Sequence, residues 1–527
     1  MVTAGGAWWS DAGGYVPEVL EALAAHPGKV VLRYPGTELT AADYLRAVTG
    51  TYRTLRANGV GRGTVVAVLT APNSPDMLGV RHAAHLAGAA VCYLRSTNPG
   101  TSTAMLPLTD QLGIVRDTGA SVLYADRTSA ARAAELAERS GAVLVGPGQD
   151  GSAGTAPTDD PGPVAPACGE PDDLAVIMFT SGSTGRPKGI RKSLRSWEGT
   201  VRIAVDTPAE APEITALFST PLSHSAGLLV DGALAVGGSV VLLPEFDARQ
   251  VVRAVVEHRV TRTFMATTQL YRLLDHIDDL GHRDAWSAGL AGLRSLSYSG
   301  TSAAPSRLAA AHEVFGPILL QLYGTTESGR ISYLDPAGHA DAGLAATVGR
   351  VFPEVELEVW DPDTGVRLAD GQVGEIRMRS PQLMDGYLDP ALDAGVLRDG
   401  WYRTGDIGYR DDRGHLHLLD RVSDVVKVDG VKIYPAVVER ELLTVPGVAL
   451  AAVYGVRDAD GTEHLHAALT CRPGTLVDPE AVRKHISADL SPALAPELVL
   501  VLDELPMNPT GKPDKARLRE YSAAATA

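Results

Sequence analysis

The chain is 527 residues long, with 45% hydrophobic and 21% charged residues, a balance that excludes disordered and collagen-like proteins and suits a globular protein of roughly two to four domains. Its formal charge is −16 with no basic tail, which disfavours a nucleic-acid partner. No apolar run reaches the roughly 18 residues of a bilayer span, the nearest, Gly232 to Pro244, being short and glycine-rich. The first basic residue is Lys29 and the cysteines Cys92, Cys168 and Cys471 lie far apart. Neither a secretory signal nor a disulfide or zinc framework is therefore expected, and the reading is a cytoplasmic, multidomain protein.

Along the chain, apolar residues at helical spacing predict a helix over Leu39–Ala57, stopped by Gly59. Thr64–Leu69 reads as a strand, Pro75–Gly88 as a helix and Ala89–Leu94 as a strand, an alternation that argues a mostly parallel sheet covered by helices. Residues 146–173, rich in Gly, Pro and Asp, form a long surface connection. The α/β rhythm resumes with Leu174–Phe179, Ser239–Leu243, Thr263–Met265, Ser295–Tyr298 and Ile318–Leu322. From about residue 348 to 420, short strands between Gly-Asp turns (Val355–Trp360, Gly374–Arg379, His415–Leu418) predict a barrel-like β portion. The remainder mixes strands Ala449–Val456 and Leu465–Thr470 with a helix over Pro479–Asp489. Only eight of the 47 basic residues are lysines, and six of them (Lys188, Lys192, Lys427, Lys432, Lys512, Lys515) fall in the windows 180–192, 420–439 and 505–515. An arginine-rich chain that keeps lysine in so few places implies that a compact ammonium is required there.

Directly after the apolar strand Leu174–Phe179 comes a loop of Thr180, Ser181, Gly182, Ser183, Thr184 and Gly185, followed by Arg186-Pro187-Lys188-Gly189. Such a loop offers backbone N–H groups, hydroxyls and one ammonium to a polyphosphate. It is not a Walker loop, because Lys188 is not followed by Ser or Thr. It closely resembles the phosphate loop of the adenylate-forming superfamily, which includes acyl- and aryl-CoA ligases, peptide-synthetase adenylation domains and luciferases. Four further motifs match in order: Gln321 through Tyr323-Gly324-Thr325-Thr326-Glu327, Tyr402-Arg403-Thr404-Gly405-Asp406, Asp420-Arg421 through Glu439, and Asn508-Pro509-Thr510-Gly511-Lys512. The resemblance spans nearly the whole chain and is nearest to the acyl-CoA ligases.

The resemblance implies an α/β fold. A large N-terminal domain (1–421) of two α/β lobes plus a distorted β-barrel would be followed by a small, mobile α+β C-terminal domain (422–527). It also implies roles. Joining a carboxylate to the α-phosphate of ATP brings two anions together, so fixed positive charge is needed where negative charge builds up; Lys512 resembles the lysine that supplies it. Glu327 is a hard oxygen ligand suited to Mg²⁺, and Thr326 would reach the α-phosphate. Tyr323 would stack on adenine beside Gly324 and Thr325, Asp406 would accept the ribose hydroxyls, and Arg421 would add donors near ribose and phosphate. The Tyr298-Ser299-Gly300-Thr301 turn resembles the wall beside adenine and the acyl chain. Ser423 stands at the hinge where relatives carry Asp or Lys, and Asp429-Gly430 would shape the thiol tunnel.

Pro221-Leu222-Ser223-His224-Ser225-Ala226-Gly227 resembles the acyl-pocket segment, with His224 at a gate position. Ser225 falls where amino-acid-activating relatives place an Asp, and a serine cannot neutralise a buried ammonium. The small residues Ala226, Gly227, Gly232 and Ala233 either leave volume for a bulky or ring-containing acid or allow close helix packing. No Arg or Lys occurs between Pro221 and Pro244, and Ser193-Leu194 replaces the Ser-His common in CoA ligases. The expected activity is that of an acyl-CoA ligase using ATP, Mg²⁺ and coenzyme A on a small-molecule carboxylic acid. The alternatives are loading of a carrier protein, catalysis of one half-reaction only, or an inactive nucleotide-binding protein; no oligomeric state is implied.

Overall fold

A computed structural model describes residues 14–98, 101, 104–147, 168–181, 187–205, 213–279, 290–301, 303–428, 431–458, 460–472, 474–507 and 513–526. They fall into two compact units. One comprises the chain up to Ser297 together with Thr325–Gly329 and Ser380–Leu397; the other comprises Tyr298–Gly324, Arg330–Arg379 and the chain from Arg398 onward.

The first unit contains eleven described strands: β1 (Val30–Tyr34), β2 (Thr37–Thr40), β3 (Val65–Leu69), β4 (Ala90–Tyr93), β5 (Val122–Ala125), β6 (Val143–Val145), β7 (Leu174–Ser181), β8 (Pro187–Ser193), β9 (Thr215–Phe218), β10 (Ser239–Leu242) and β11 (Arg262–Ala266). A six-stranded sheet runs in the order β6-β5-β3-β4-β7-β8, parallel except for the antiparallel pair β7–β8. β3 and β4 are buried throughout and uniformly apolar, as strands covered on both faces must be. Helix Ala41–Ala57 starts at a reciprocal cap between Thr40 and Asp43, and helix Pro75–Leu86 starts at Ser74, whose side chain accepts the Met77 N–H. The latter is buried on all sides from Met77 to Leu86 and packs against its predecessor, so its polar residues need partners inside the protein.

The expected α/β alternation is present, but the residues before 145 do not form one sheet. β1 and β2 instead belong to a second run, β11-β9-β10-β1-β2, in which β1 is parallel to β10 through Leu32 and Val240. The sequence places β1 beside β3, whereas its partner lies some two hundred residues away, and such long-range pairing leaves no local signal.

In the second unit, strands Glu356–Trp360, Gly374–Arg379, Trp401–Arg410 and Leu416–Arg421 pair antiparallel in that order. Beyond residue 425 a three-stranded sheet (Val448–Arg457, Glu463–Cys471, Leu498–Leu502) separates two apolar layers. Val453, Leu465, Ala467 and Leu469 face helices Pro435–Leu442 and Pro479–Asp489, while Ala452, Tyr454 and Ala468 face Leu518 on helix Lys515–Thr526. This is the two-residue alternation of a strand buried on both sides. The fold is mixed α/β, with a large N-terminal portion and a smaller C-terminal one, and both C-terminal layers draw only on residues after 425 among those described. No helix of the described residues is long and apolar enough to cross a membrane.

Candidate active site

In the first unit the phosphate-loop candidate connects two paired strands. Thr180 lies opposite Lys188 and Ser181 opposite Pro187, so the five residues between begin and end about one strand spacing apart. Gly182, Ser183, Thr184 and Gly185 lie outside the described residues. The returning strand β8 is held on its other side by residues 385–388: Arg191 N donates to Gly386 O at 3.0 Å, Asp385 N to Arg191 O at 2.9 Å, and Leu388 N to Gly189 O at 2.7 Å. The segment Thr325–Gly329 is closed on itself by Thr325 and the buried Ser328, which exchange N–H···O bonds of 2.9 and 3.0 Å.

Thr326 and Glu327, both half-buried, sit within that turn. Glu327 is fixed by three contacts at two of its atoms. Its Oε1 accepts the Tyr387 hydroxyl at 3.0 Å, and its backbone carbonyl accepts Lys192 Nζ at 3.0 Å and Met384 N at 2.8 Å. Lys192 also donates to Gln382 O at 2.5 Å, an oxygen shared with the Ser196 hydroxyl at 2.9 Å. Only 6% of Lys192 is exposed. Burial pushes its ammonium down to about 8, against the pull of the Glu327 and Asp385 carboxylates. The sparse-lysine pattern singled out this residue but not its partners, which lie in distant segments.

The pocket segment is pinned from outside its own sequence. Asn73, buried and at φ 51, donates to Thr220 O at 3.1 Å and Leu243 O at 2.8 Å, and accepts Leu222 N at 3.0 Å. His224 is buried; its Nδ1 meets Ser223 Oγ at 3.0 Å, while Nε2 has no hydrogen-bond partner among the described residues. Burial pushes the imidazole down to about 4, so it is neutral at physiological pH. Ser225 is exposed and opens helix Ser225–Ala235.

Gly227 resolves one of the two expectations for the small residues. A Cβ built there would stand 2.2 Å from Leu222 O and 2.7 Å from Arg81 Nη1, so its missing side chain makes room for protein. Arg81, from helix Pro75–Leu86, donates to Gly227 O at 3.1 Å and to the Asp231 carboxylate. Asp231 also meets His82 Nε2 at 2.9 Å and accepts Trp197 Nε1 at 3.1 Å, and the Tyr44 hydroxyl contacts His82 Nδ1 at 2.8 Å. Arg81, His82 and Asp231 are fully buried. Burial opposes ionisation of Asp231, but the Arg81 guanidinium and His82 hold its carboxyl below the usual range. The pocket helix thus carries a cation against its backbone, although none occurs in its own segment, and that cation is already neutralised.

In the second unit, Tyr323, Asp406 and Arg421 come together. Asp406 and Arg421 are register partners on adjacent antiparallel strands, which sets their side chains side by side. Arg421 Nε meets Asp406 Oδ1 at 2.7 Å, and the Tyr323 hydroxyl donates to Asp406 Oδ2 at 2.5 Å. Burial and the adjacent carboxylate raise the Tyr323 phenol well above its ordinary value, which keeps it a donor. Tyr298 is fully buried, its hydroxyl 2.9 Å from His339 Nε2. Ser299 and Thr301 are half-buried, Gly300 (φ +110) and Gly324 exposed.

At the expected hinge position, Ser423 Oγ donates to Asp424 Oδ1 at 2.9 Å, and Lys515 Nζ approaches Asp424 at 3.8 Å and Glu439 at 3.4 Å. Asp420 accepts the Ala436 N–H at 2.7 Å, and burial pushes its carboxyl up to about 6. Asp429, Gly430 and Lys512 lie outside the described residues.

The AMP-binding enzyme family model matches residues 19–388, and the AMP-binding enzyme C-terminal domain model matches residues 437–512. Feruloyl-CoA synthase of an Amycolatopsis species is 34% identical over 506 residues, covering 94% of this chain and 96% of that protein. Medium/long-chain-fatty-acid–CoA ligase FadD8 of Mycobacterium tuberculosis is 30% identical over 524 residues, covering 94% and 88%. Among solved structures, the amide bond synthetase McbA from Marinactinospora thermotolerans superposes with a TM-score of 0.85 at 34% identity, over 96% of this chain and 99% of that one.

Proposed function

The chain belongs to the AMP-binding enzyme family, and from that premise we propose that it is an AMP-forming acid–thiol ligase: it joins a hydrophobic carboxylic acid to AMP using ATP, then passes the acyl group to coenzyme A. The observation that carries the reading is the Tyr323–Asp406–Arg421 constellation. Asp406 holds the Tyr323 hydroxyl and the Arg421 guanidinium, a carboxylate of the kind that accepts ribose hydroxyls, while the Tyr323 ring, oriented by its own hydroxyl bond, offers a face to adenine. Lys188 and the hydroxyls of its loop bind phosphate, and Thr326 reaches the α-phosphate. Glu327 fits a hard cation: Tyr387 occupies one carboxylate oxygen, and the other has no hydrogen bond among the described residues. Mg²⁺ held there neutralises phosphate charge. Lys512 supplies positive charge between the two reacting anions, and residues 422–527 act as the mobile domain that carries it.

The acid is a monoacid with an apolar body. His224 is neutral, and Arg81 is spoken for by Asp231, so no free cation of the pocket segment meets a second carboxylate. A second reading concerns the acceptor. The similarity to an amide bond synthetase, together with Ser423 and Asp429 at positions bearing on the second step, supports an amine that attacks the acyl adenylate to give an amide and AMP; a carrier-protein thiol is the third acceptor. Incubation with ATP, Mg²⁺ and a panel of aryl and alkyl acids, offered coenzyme A or a panel of amines, separates them by mass spectrometry. An acyl-CoA product with equimolar AMP is expected. Amide alone would move the acceptor to an amine, and no AMP with any acid would overturn the ligase reading.

A further inference from the structure

Lys192 stands apart from every role assigned above. It is a buried ammonium with no carboxylate bonded to it; its two described partners are main-chain carbonyls, one at Glu327 and one at Gln382. Those carbonyls lie 55 residues apart in the chain (327 and 382), and the compact ammonium meets both at once; a guanidinium, larger and planar, would need a differently shaped site. Lys192 itself is on β8, the strand returning from the phosphate loop, four residues after Lys188. The Gln382 carbonyl is further shared with Ser196, and the same stretch supplies Tyr387, whose hydroxyl holds the Glu327 carboxylate, and Met384, whose N–H holds its carbonyl. Glu327 is thus fixed at backbone and side chain by groups that have no solvent to satisfy them otherwise.

We propose that Lys192 and Tyr387 are positioning residues for the nucleotide-bound metal: Lys192 sets the main chain of Glu327 relative to the phosphate-loop strand, and Tyr387 selects which carboxylate oxygen is left for Mg²⁺. This rests on reading Glu327 as the metal ligand. Groups that orient a metal ligand without touching the metal change metal affinity by about 10–100-fold when removed. The same reasoning accounts for lysine at this position in an arginine-rich chain, because a compact ammonium fits between the two buried carbonyls where a larger planar fork would need more room.

The test is calorimetric titration of MgCl₂ into the full-length enzyme with ATP, with acid-dependent pyrophosphate release titrated with MgCl₂ at saturating ATP alongside it. Lys192→Met, an uncharged side chain of similar length, is expected to raise the half-saturating Mg²⁺ by about 10-fold or more while leaving the acid KM unchanged. Lys192→Arg is expected not to restore it. Tyr387→Phe removes one hydroxyl from a ring that otherwise keeps its place, so it reports even if Lys192→Met fails to fold; it is expected to shift the Mg²⁺ titration in the same direction. Combined with Glu327→Gln, either variant is expected to add nothing, because both act through that carboxylate. If Glu327→Gln shifts the Mg²⁺ titration and Tyr387→Phe and every folded Lys192 variant do not, the positioning role is wrong and the metal reading stands. If Glu327→Gln itself leaves the titration unchanged, the metal reading falls and the proposal falls with it.

Discussion

Arg81 is a full cation with no exposed surface, and its surroundings are matched to it: a carboxylate, a carbonyl from the pocket helix and a glycine where any side chain would collide. Such a group is costly when its partner loses charge. Asp231→Asn leaves the guanidinium buried without a counter-ion and is expected to destabilise the protein by about 3–5 kcal/mol, read as a lowered urea midpoint with the slope unchanged. A loss below about 1 kcal/mol would mean that water or another anion reaches Arg81. Gly227→Ala forces a methyl to 2.2 Å from the Leu222 carbonyl; overpacking of this kind costs about 1–3 kcal/mol. Because Leu222 lies two residues before His224, the proposed pocket residue, the acid KM of Gly227→Ala should rise while the ATP KM stays constant, a split that steady-state kinetics measures directly. On the proposed role of Lys512 in the first half-reaction alone, Lys512→Ala should abolish adenylate formation and spare thioester formation from supplied acyl adenylate; equal loss in both would remove that assignment.

At the scale of elements, short-range patterns were legible and long-range pairings were not. The helices Ala41–Ala57 and Pro479–Asp489 and the strands β3, β4 and Gly374–Arg379 match the expected bounds within a few residues, because capping residues and apolar periodicity are local. Helix Ser225–Ala235 was hidden by its composition: apolar nearly throughout and glycine-containing, it has no polar face to give the period away. Tyr323, Asp406 and Arg421 were expected together from motif order, and strand register explains why they meet. Asn73, Arg81, Asp231 and Tyr387 carried no signal, since each acquires its role only from a partner tens to hundreds of residues away. One electrostatic consequence belongs to the strand Leu416–Arg421. The carboxyl of Asp420 titrates at about 6, above its ordinary 3.8, so the native state binds a proton between those values that the unfolded chain does not. Its contribution is therefore favourable at low pH and is lost as pH rises through about 6. Asp420→Asn, which cannot ionise, should raise the melting temperature relative to the parent at pH 7.5 and give no advantage at pH 4.5. An equal effect at both pH values would show that the side chain acts by shape alone.

For the whole molecule, acid response is set in the opposite sense by buried imidazoles. His82, His85 and His224 are all pushed below 6.5 by burial, His85 to about 3 and His224 to about 4. Below pH 6.5 the unfolded chain takes up protons that these native side chains refuse, so stability falls as pH falls, by about 1.4 kcal/mol per pH unit for each withheld proton. Thermal melts between pH 7 and 5 should show a monotonic decline, and His224→Gln should make it shallower; a flat profile would mean that the interior imidazoles carry charge. The path of the chain has a consequence for biosynthesis. The first unit takes in Ser380–Leu397 as well as the chain up to Ser297, and Lys192 finds both of its carbonyls only in segments beyond residue 325. On the ribosome Glu327 follows Ser297 by 30 residues and Gln382 by 85, so the second carbonyl arrives about 4–17 s later at ordinary elongation rates. Until residues 385–388 emerge, the edge of β8 that they cover has no partner, so completion of this unit waits on translation, and an open sheet edge of this kind is a site for pairing with another chain.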